Sequence, residues 1–336
     1  MLEHGGRLRA AATHYRIALA DWLDLSTGIN PRGYPPPPVD PRCWLRLPEE
    51  NDGLESAAAS YYGCTDILPV AGSQAAIQAL PAALGASGGK HNVGILTPGY
   101  AEHAHAWRHC NPIPLEAAGI EDSIGSLDIL LLVNPNNPTG HTWPLEQLLD
   151  WHQRLSARGG WLIVDEAFVD VTPGFSLARH AGGHGLVVLR SLGKFFGLAG
   201  ARVGFVLAAQ SVRDTVREML GPWALSGPAR VVARQALLDS TWQTETRARL
   251  YEDGLRLAHL LTGCGLGAST GCALFRYLEH RDAAAIHAAL AQQGVLVRLF
   301  KHPSALRFGL PGNEAEWHKL EEALLRVTGK APKVST

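Results

Sequence analysis

The sequence predicts an α/β protein: a large, mainly parallel sheet domain flanked by helices, with a smaller α+β domain beside it in the chain. Three observations lead there. Between about Arg46 and Leu238, short apolar runs alternate with helical stretches such as Pro144 to Arg158, the pattern of strands and crossover helices. Three of those runs end directly at polar motifs. Beyond them, Arg-, Ala- and Leu-rich helices give way to three short strand-like runs and a last helix.

Taken in order, the proline-rich segment from Pro31 to Pro41 reads as an extended connector that marks a domain boundary. The large domain is expected over 46–245, and 1–45 with 246–336 form an N-terminal segment plus a C-terminal small domain. Ile129-Leu-Leu-Leu-Val133, Trp161-Leu-Ile-Val164 and Leu186-Val-Val-Leu-Arg190 read as buried strands. In the small domain the strand-like runs are Ala273 to Leu278, Val295 to Leu299 and Ala305 to Gly309. No internal repeat is visible.

The polar motifs carry the chemistry. Asn134-Pro-Asn-Asn-Pro-Thr-Gly140 follows the first run, Asp165-Glu166-Ala167-Phe168 the second, and Ser191-Leu-Gly-Lys194 the third. Ligands of open α/β sheets bind at the carboxyl ends of the strands. Each motif has a plainer reading, as loop chemistry or a helix cap, and the common placement outweighs it. The chain has only six lysines against twenty-four arginines, and Lys90, Lys330 and Lys333 sit in polar loops or the tail. Lys194 stands apart, among small and apolar residues. Partial desolvation lowers a lysine pKa and makes the amine a nucleophile, whereas a lysine snorkelling from a core helix is the alternative.

As a set, Asn137-Pro-Thr-Gly140, Asp165, Lys194 and Arg202 resemble the pyridoxal-phosphate aminotransferase superfamily of fold type I, along nearly the whole chain. The resemblance implies a seven-stranded, mainly parallel sheet in the large domain and pyridoxal 5′-phosphate as cofactor. Lys194 would hold the cofactor covalently, Asp165 would pair with its protonated pyridine nitrogen, and Asn137 would hydrogen-bond its phenolic oxygen. Ile67 to Gln74 reads as a strand entering a helix N-terminus, a natural anion cradle with a plain Ser73 cap as the alternative. The resemblance implies that Gly72, Ser73 and Gln74 hold the phosphate together with Ser191 and Arg202. Tyr100 matches the aromatic that stacks on the cofactor ring, or is a core tyrosine. Arg307 matches the arginine that grips a substrate carboxylate through two parallel hydrogen bonds. Arg298 is expected close by, and Asn30 belongs to an N-terminal segment that covers the site in these enzymes.

Within the superfamily the chain is similar to the histidinol-phosphate aminotransferase group and to the threonine-phosphate decarboxylases of cobalamin biosynthesis. His4-Gly-Gly6, Leu25-Ser-Thr-Gly-Ile-Asn-Pro31 and Phe168 favour the decarboxylase branch, because the aminotransferases usually carry tyrosine where Phe168 stands. This implies decarboxylation of L-threonine O-3-phosphate to 1-amino-2-propanol O-phosphate. A histidinol-phosphate-type aminotransferase is one alternative, and a non-catalytic pathway partner of the same fold is another. Leu47 replaces a tyrosine that in many relatives reaches the partner subunit's cofactor phosphate, and Gly193 replaces a common serine or threonine. Both substitutions bear on how firmly the cofactor is held.

Composition agrees with a small-molecule enzyme. Thirty basic residues against thirty-one acidic ones give a net charge of −1, with no electrostatic case for nucleic acid. The substrate is expected to be a small phosphorylated amino acid, and the family expectation is a homodimer. Five cysteines without a Cys-x-x-Cys pair fit a reducing cytosol. Cys43, Cys64, Cys110, Cys264 and Cys272 read as buried small hydrophobes. The opening residues show no apolar signal run, and no apolar run approaches the roughly twenty residues of a membrane helix. A cytoplasmic protein is expected. His103, His105, His109 and Cys110 read as a helix with exposed histidines rather than a metal site, and Gly263-Cys-Gly-Leu-Gly267 as a turn rather than a dinucleotide loop.

Overall fold

The computed structural model describes residues 4–86 and 91–330, so Lys90 and Lys333 lie outside the described residues. Among the described residues the strands are β1 (Leu23–Leu25), β2 (Ile67–Val70), β3 (Val93–Leu96), β4 (Ile113–Leu115), β5 (Ile129–Val133), β6 (Trp161–Asp165), β7 (Leu186–Ser191), β8 (Gly204–Ala208), β9 (Thr270–Cys272), β10 (Phe275–Glu279), β11 (Val295–Phe300) and β12 (Ala305–Gly309). The chain divides into two compact units. The larger comprises Gly33–Asn137 and Thr142–Glu245, the smaller Met1–Arg32, Pro138–His141 and Thr246–Thr336.

In the larger unit seven strands form one sheet in the order β2-β8-β7-β6-β5-β3-β4. Neighbours are parallel except at β8, which runs antiparallel to both β7 and β2. Every residue of β5, β7 and β8 is buried, as expected of strands covered on both faces. Alternate residues Val70, Ile95, Leu131, Ile163, Leu189 and Val206 share one core with Ile77 and Leu80 of helix Ser73–Ala83 and Val212 and Val216 of helix Gln210–Leu220. Helix Leu145–Ser156 buries Leu148, Trp151 and Leu155, spaced three and four apart along one face.

This topology collects one end of each central strand at a single edge. Val133 pairs with Asp165 and Asp165 with Leu189, so β5 and β6 finish level and β7 runs two residues farther, to Ser191. Because β8 runs the other way, its first residue, Gly204, is level with the last residues of β7 and β2, Ser191 and Val70. Next to that edge lies a buried ion network. Arg190, 2% exposed, bonds Glu166 Oε2 at 2.6 Å and Asp170 Oδ1, and its guanidinium lies 4.5 Å from the Tyr62 ring centre. Burial alone would depress its pKa, but the charges of Asp170 and Glu166 outweigh it and push the pKa up. Glu166 also accepts from Ser176 Oγ and Leu177 N, and Tyr61 donates to Asp170 at 2.9 Å.

The smaller unit holds a five-stranded sheet in the order β1-β11-β12-β10-β9, antiparallel except for β1 against β11. The run from Ala273 to Leu278 is not one strand: Ala273 and Leu274 turn the chain between β9 and β10. The tight pairing of those two strands puts the turn inside the apolar run. Of the five cysteines, all free, Cys64, Cys110 and Cys264 are buried, whereas Cys43 and Cys272 are half-buried, correcting the expectation for those two. Cys43 lies on the short helix Arg42–Leu45, which buries none of its residues. Cys272 ends β9, the edge strand of its sheet. Among the described residues no helix is long and apolar enough to cross a membrane.

Arg190→Met removes the cation while leaving two buried carboxylates, and should lower the unfolding free energy by about 3–5 kcal/mol. Urea unfolding checks it. A loss below about 1 kcal/mol would mean that the network contributes little to the stability of the unit.

Candidate active site

At the shared edge of the large sheet, each polar motif leaves its strand and reaches the same space. After β5, Asn134 Oδ1 accepts from Trp143 N at 3.1 Å and Asn136 Nδ2 donates to Pro98 O at 2.9 Å. These two asparagines fix the loop, and the third, Asn137, lines the cavity. After β7, the chain turns at once: Ser191 Oγ accepts from Gly193 N at 3.2 Å, and Lys194 O accepts from Gly197 N at 3.1 Å. Lys194 is half-buried, with Nζ 5.5 Å from the centre of the buried Phe168 ring, inside cation–π range.

Asp165 ends β6 and is 3% exposed. A carboxylate there needs partners. Oδ1 accepts from Ala167 N at 3.0 Å, and Oδ2 lies 2.9 Å from Nε2 of His103. Against a carboxylate, that ring nitrogen is the donor. This corrects the expectation of exposed histidines: His105 and His109 are exposed, but His103 is 1% exposed and serves Asp165. Nothing local links it to a carboxylate sixty-two positions on.

The expected anion cradle lies where β2 enters helix Ser73–Ala83. Gly72 caps it with φ 74°, a backbone that disfavours any side chain, so Ser73 is the first helical residue rather than the cap. The first-turn N–H groups of such a helix face outward. A Cβ at Gly72 would sit 2.8 Å from Arg202 Nη2, so the guanidinium lies directly over the cradle. A Cβ at Gly204 would fall 2.5 Å from Ser73 N and 2.9 Å from Arg190 O. Arg202 itself has φ 55°, a left-handed backbone costing about 1–3 kcal/mol.

One cavity of about 110 Å³ is therefore lined by Ser73, Gln74, Tyr100, Asn137, Asp165, Phe168, Ser191, Lys194 and Arg202. Gly72, next to Ser73, lies against the Arg202 guanidinium. A cation-topped N–H cradle at one end and a held carboxylate beside a lysine and an amide fit a flat, phosphorylated, basic heterocycle such as pyridoxal phosphate. Gly193 also borders the cavity, and a side chain there would approach Ala199 Cα to 3.3 Å.

The sequence model of the family described as aminotransferase class I and II matches residues 48–324. The chain belongs to that family. Threonine-phosphate decarboxylase from Pseudomonas aeruginosa is 53% identical over 327 residues, 97% of this chain and 98% of that protein. A threonine-phosphate decarboxylase from a Sinorhizobium species is 41% identical, covering 97% and 98%. Among solved structures, the histidinol-phosphate aminotransferase of Sinorhizobium meliloti in complex with pyridoxal-5′-phosphate superposes with a TM-score of 0.80 over 98% of each chain at 18% identity, a likeness of fold.

The predicted substrate-binding residues lie in the smaller unit. Arg307 of β12 is buried, stands opposite both Arg298 of β11 and Tyr277 of β10, and donates from Nη2 to Ser26 O at 3.1 Å. Gly6 N donates to Ser26 Oγ at 2.8 Å, and a Cβ on Gly5 would fall 2.2 Å from Ser26 O. His4-Gly-Gly6 and the Ser26 motif thus pack on each other, at a distance that Gly5 permits because it has no side chain. Asn30 is buried and accepts from Arg32 N at 3.0 Å, an Asx turn. Leu47, in the larger unit, is 64% exposed.

Gly204→Ala would push a methyl into backbone atoms that have no flexible end to yield, and should cost about 1–3 kcal/mol by overpacking. Unfolding in urea measures it. A neutral result would show that the cradle is looser than these contacts require.

Proposed function

We propose that the chain is a pyridoxal-phosphate-dependent decarboxylase that converts L-threonine O-3-phosphate to 1-amino-2-propanol O-phosphate in cobalamin biosynthesis. The observation that carries this is the 53% identity to a threonine-phosphate decarboxylase along 97% of the chain. The cavity supports the same cofactor. When bound, the protonated pyridine ring supplies a sink for the electron pair left as the bond from the α-carbon to the carboxylate breaks.

The chain's own residues do the rest. Lys194 offers the amine that holds the cofactor, and the Phe168 ring beside it has no hydroxyl to donate to the phenolic oxygen, which leaves that contact to Asn137. Asp165, oriented by His103, holds a proton at the ring nitrogen and keeps it charged. Gly72, Ser73, Gln74, Ser191 and Arg202 hold the phosphate, and Tyr100 forms a wall. Arg307 binds the substrate carboxylate, with Arg298 and Asn30 also serving the substrate. Arg307 would set the orientation of that carboxylate relative to the bound cofactor; binding that does not favour the broken-bond state would not speed the step.

The protein acts as a homodimer in the cytoplasm. Trp44, Leu45 and Leu47 are 70%, 83% and 64% exposed, an apolar group of the kind that a partner subunit covers.

Purified protein supplied with pyridoxal phosphate should release one carbon dioxide per threonine phosphate without any keto acid. Amino transfer from histidinol phosphate to 2-oxoglutarate, with no carbon dioxide from threonine phosphate, would move the protein to the other branch. Lys194→Ala should abolish turnover, and borohydride labelling of another lysine would refute its role. Asp165→Ala should slow the reaction by several powers of ten, each about 1.4 kcal/mol of barrier. Arg307→Lys keeps the charge and loses the fork, and should weaken kcat/KM by a few kcal/mol; unchanged kinetics would shift the carboxylate to Arg298.

A further inference from the structure

The Tyr100 wall is held through Gln74 by Glu102, a group that the reading above leaves unused. Gln74 Nε2 donates to Glu102 Oε2 at 2.7 Å, and the Tyr100 hydroxyl donates to Gln74 Oε1 at 3.3 Å. A primary amide has one donor end and one acceptor end, and a carboxylate only accepts. Glu102 therefore decides which way Gln74 faces. With Nε2 turned to the carboxylate, Oε1 is what remains for the hydroxyl. The bond to Glu102 is the shorter and is charge-assisted, so it governs the pair. Both Gln74 and Glu102 are half-buried.

The placement of these residues gives the contact its reach. Gln74 is the second residue of helix Ser73–Ala83, whose N-terminus forms the anion cradle, and Tyr100 stands just ahead of the short helix Ala101–Ala106 that carries Glu102. One amide thus ties the cradle to the aromatic wall. Gln74 and Tyr100 line the cavity, and Glu102 stands behind them.

We propose that Glu102 is a positioning residue for cofactor binding, acting through Gln74 to fix the Tyr100 ring. This rests on reading the cavity as the pyridoxal-phosphate site. A ring pinned at its hydroxyl is already in place before the ligand arrives, which lowers the entropy lost on binding. Without Glu102 the amide can take either orientation, accepting from the hydroxyl or donating to it, so the contact no longer sets one geometry for the ring.

The test is a double-mutant cycle on the full chain, reading pyridoxal-phosphate affinity of the apoprotein by absorbance titration together with the absorbance maximum of the bound chromophore. Glu102→Leu should weaken affinity about 3- to 10-fold, the scale of one net hydrogen bond, and shift the maximum. Glu102→Gln, whose side-chain carbonyl still accepts, should restore affinity to within about twofold. In a Tyr100→Phe background, Glu102→Leu should have an effect below about 1.5-fold, because the hydroxyl it acts through is gone. Equal losses in both backgrounds, or none in either, would overturn the proposal while wild-type binding leaves the cavity reading intact. Wild-type protein that takes up no pyridoxal phosphate would overturn both.

Discussion

Arg190 lies between Glu166 and Asp170 in the interior of the larger unit, and the candidate site depends on that arrangement. Breaking such a pair leaves an uncompensated charge where water cannot reach it, which is why the three groups hold one geometry. Glu166 follows Asp165 and Arg190 precedes Ser191. Successive strand residues point to opposite faces, so ion pairing on one side of the chain fixes the residue presented on the other. The carboxylate and the lysine loop are thereby set on adjacent strand ends by the ion network beside them.

The same division between a group and its holder recurs around the cavity. Asp165 is oriented by His103 and Ala167 N, Asn137 is left to the cavity by the bonds of Asn134 and Asn136, and Arg202 is set over Gly72 by a left-handed backbone. A buried carboxylate with two fixed donors cannot turn away from the cavity. That is how a site keeps its charges aimed before anything binds.

The sheet was legible where burial is complete. β5 reads as Ile-Leu-Leu-Leu-Val and is found at the expected bounds, since a strand covered on both faces needs an unbroken apolar run. β4 was not: it has three residues, contains Pro114, and leaves Ile113 at the sheet edge 42% exposed. β1, three residues with Asp24 in the middle, gave no signal either. The number of strands came from the resemblance, not from periodicity. In the site, Lys194, Asp165 and Asn137 announced themselves by following strands. His103 did not, because its burial is produced by a carboxylate from a different crossover unit, and an alanine-rich helix looks the same from either side.

The antiparallel β8 has a mechanical consequence. Ser191 and Gly204 are ladder partners, Leu192 N donates to Val203 O at 3.1 Å, and Leu198 N returns to Leu192 O at 3.1 Å. The lysine-bearing segment is therefore a closed bow, stapled at its base to two neighbouring strands and cross-tied within, in the manner of a compact Ω-loop. With the backbone tied at both ends, the reach of the Lys194 amine is set by rotation about its four-carbon stem.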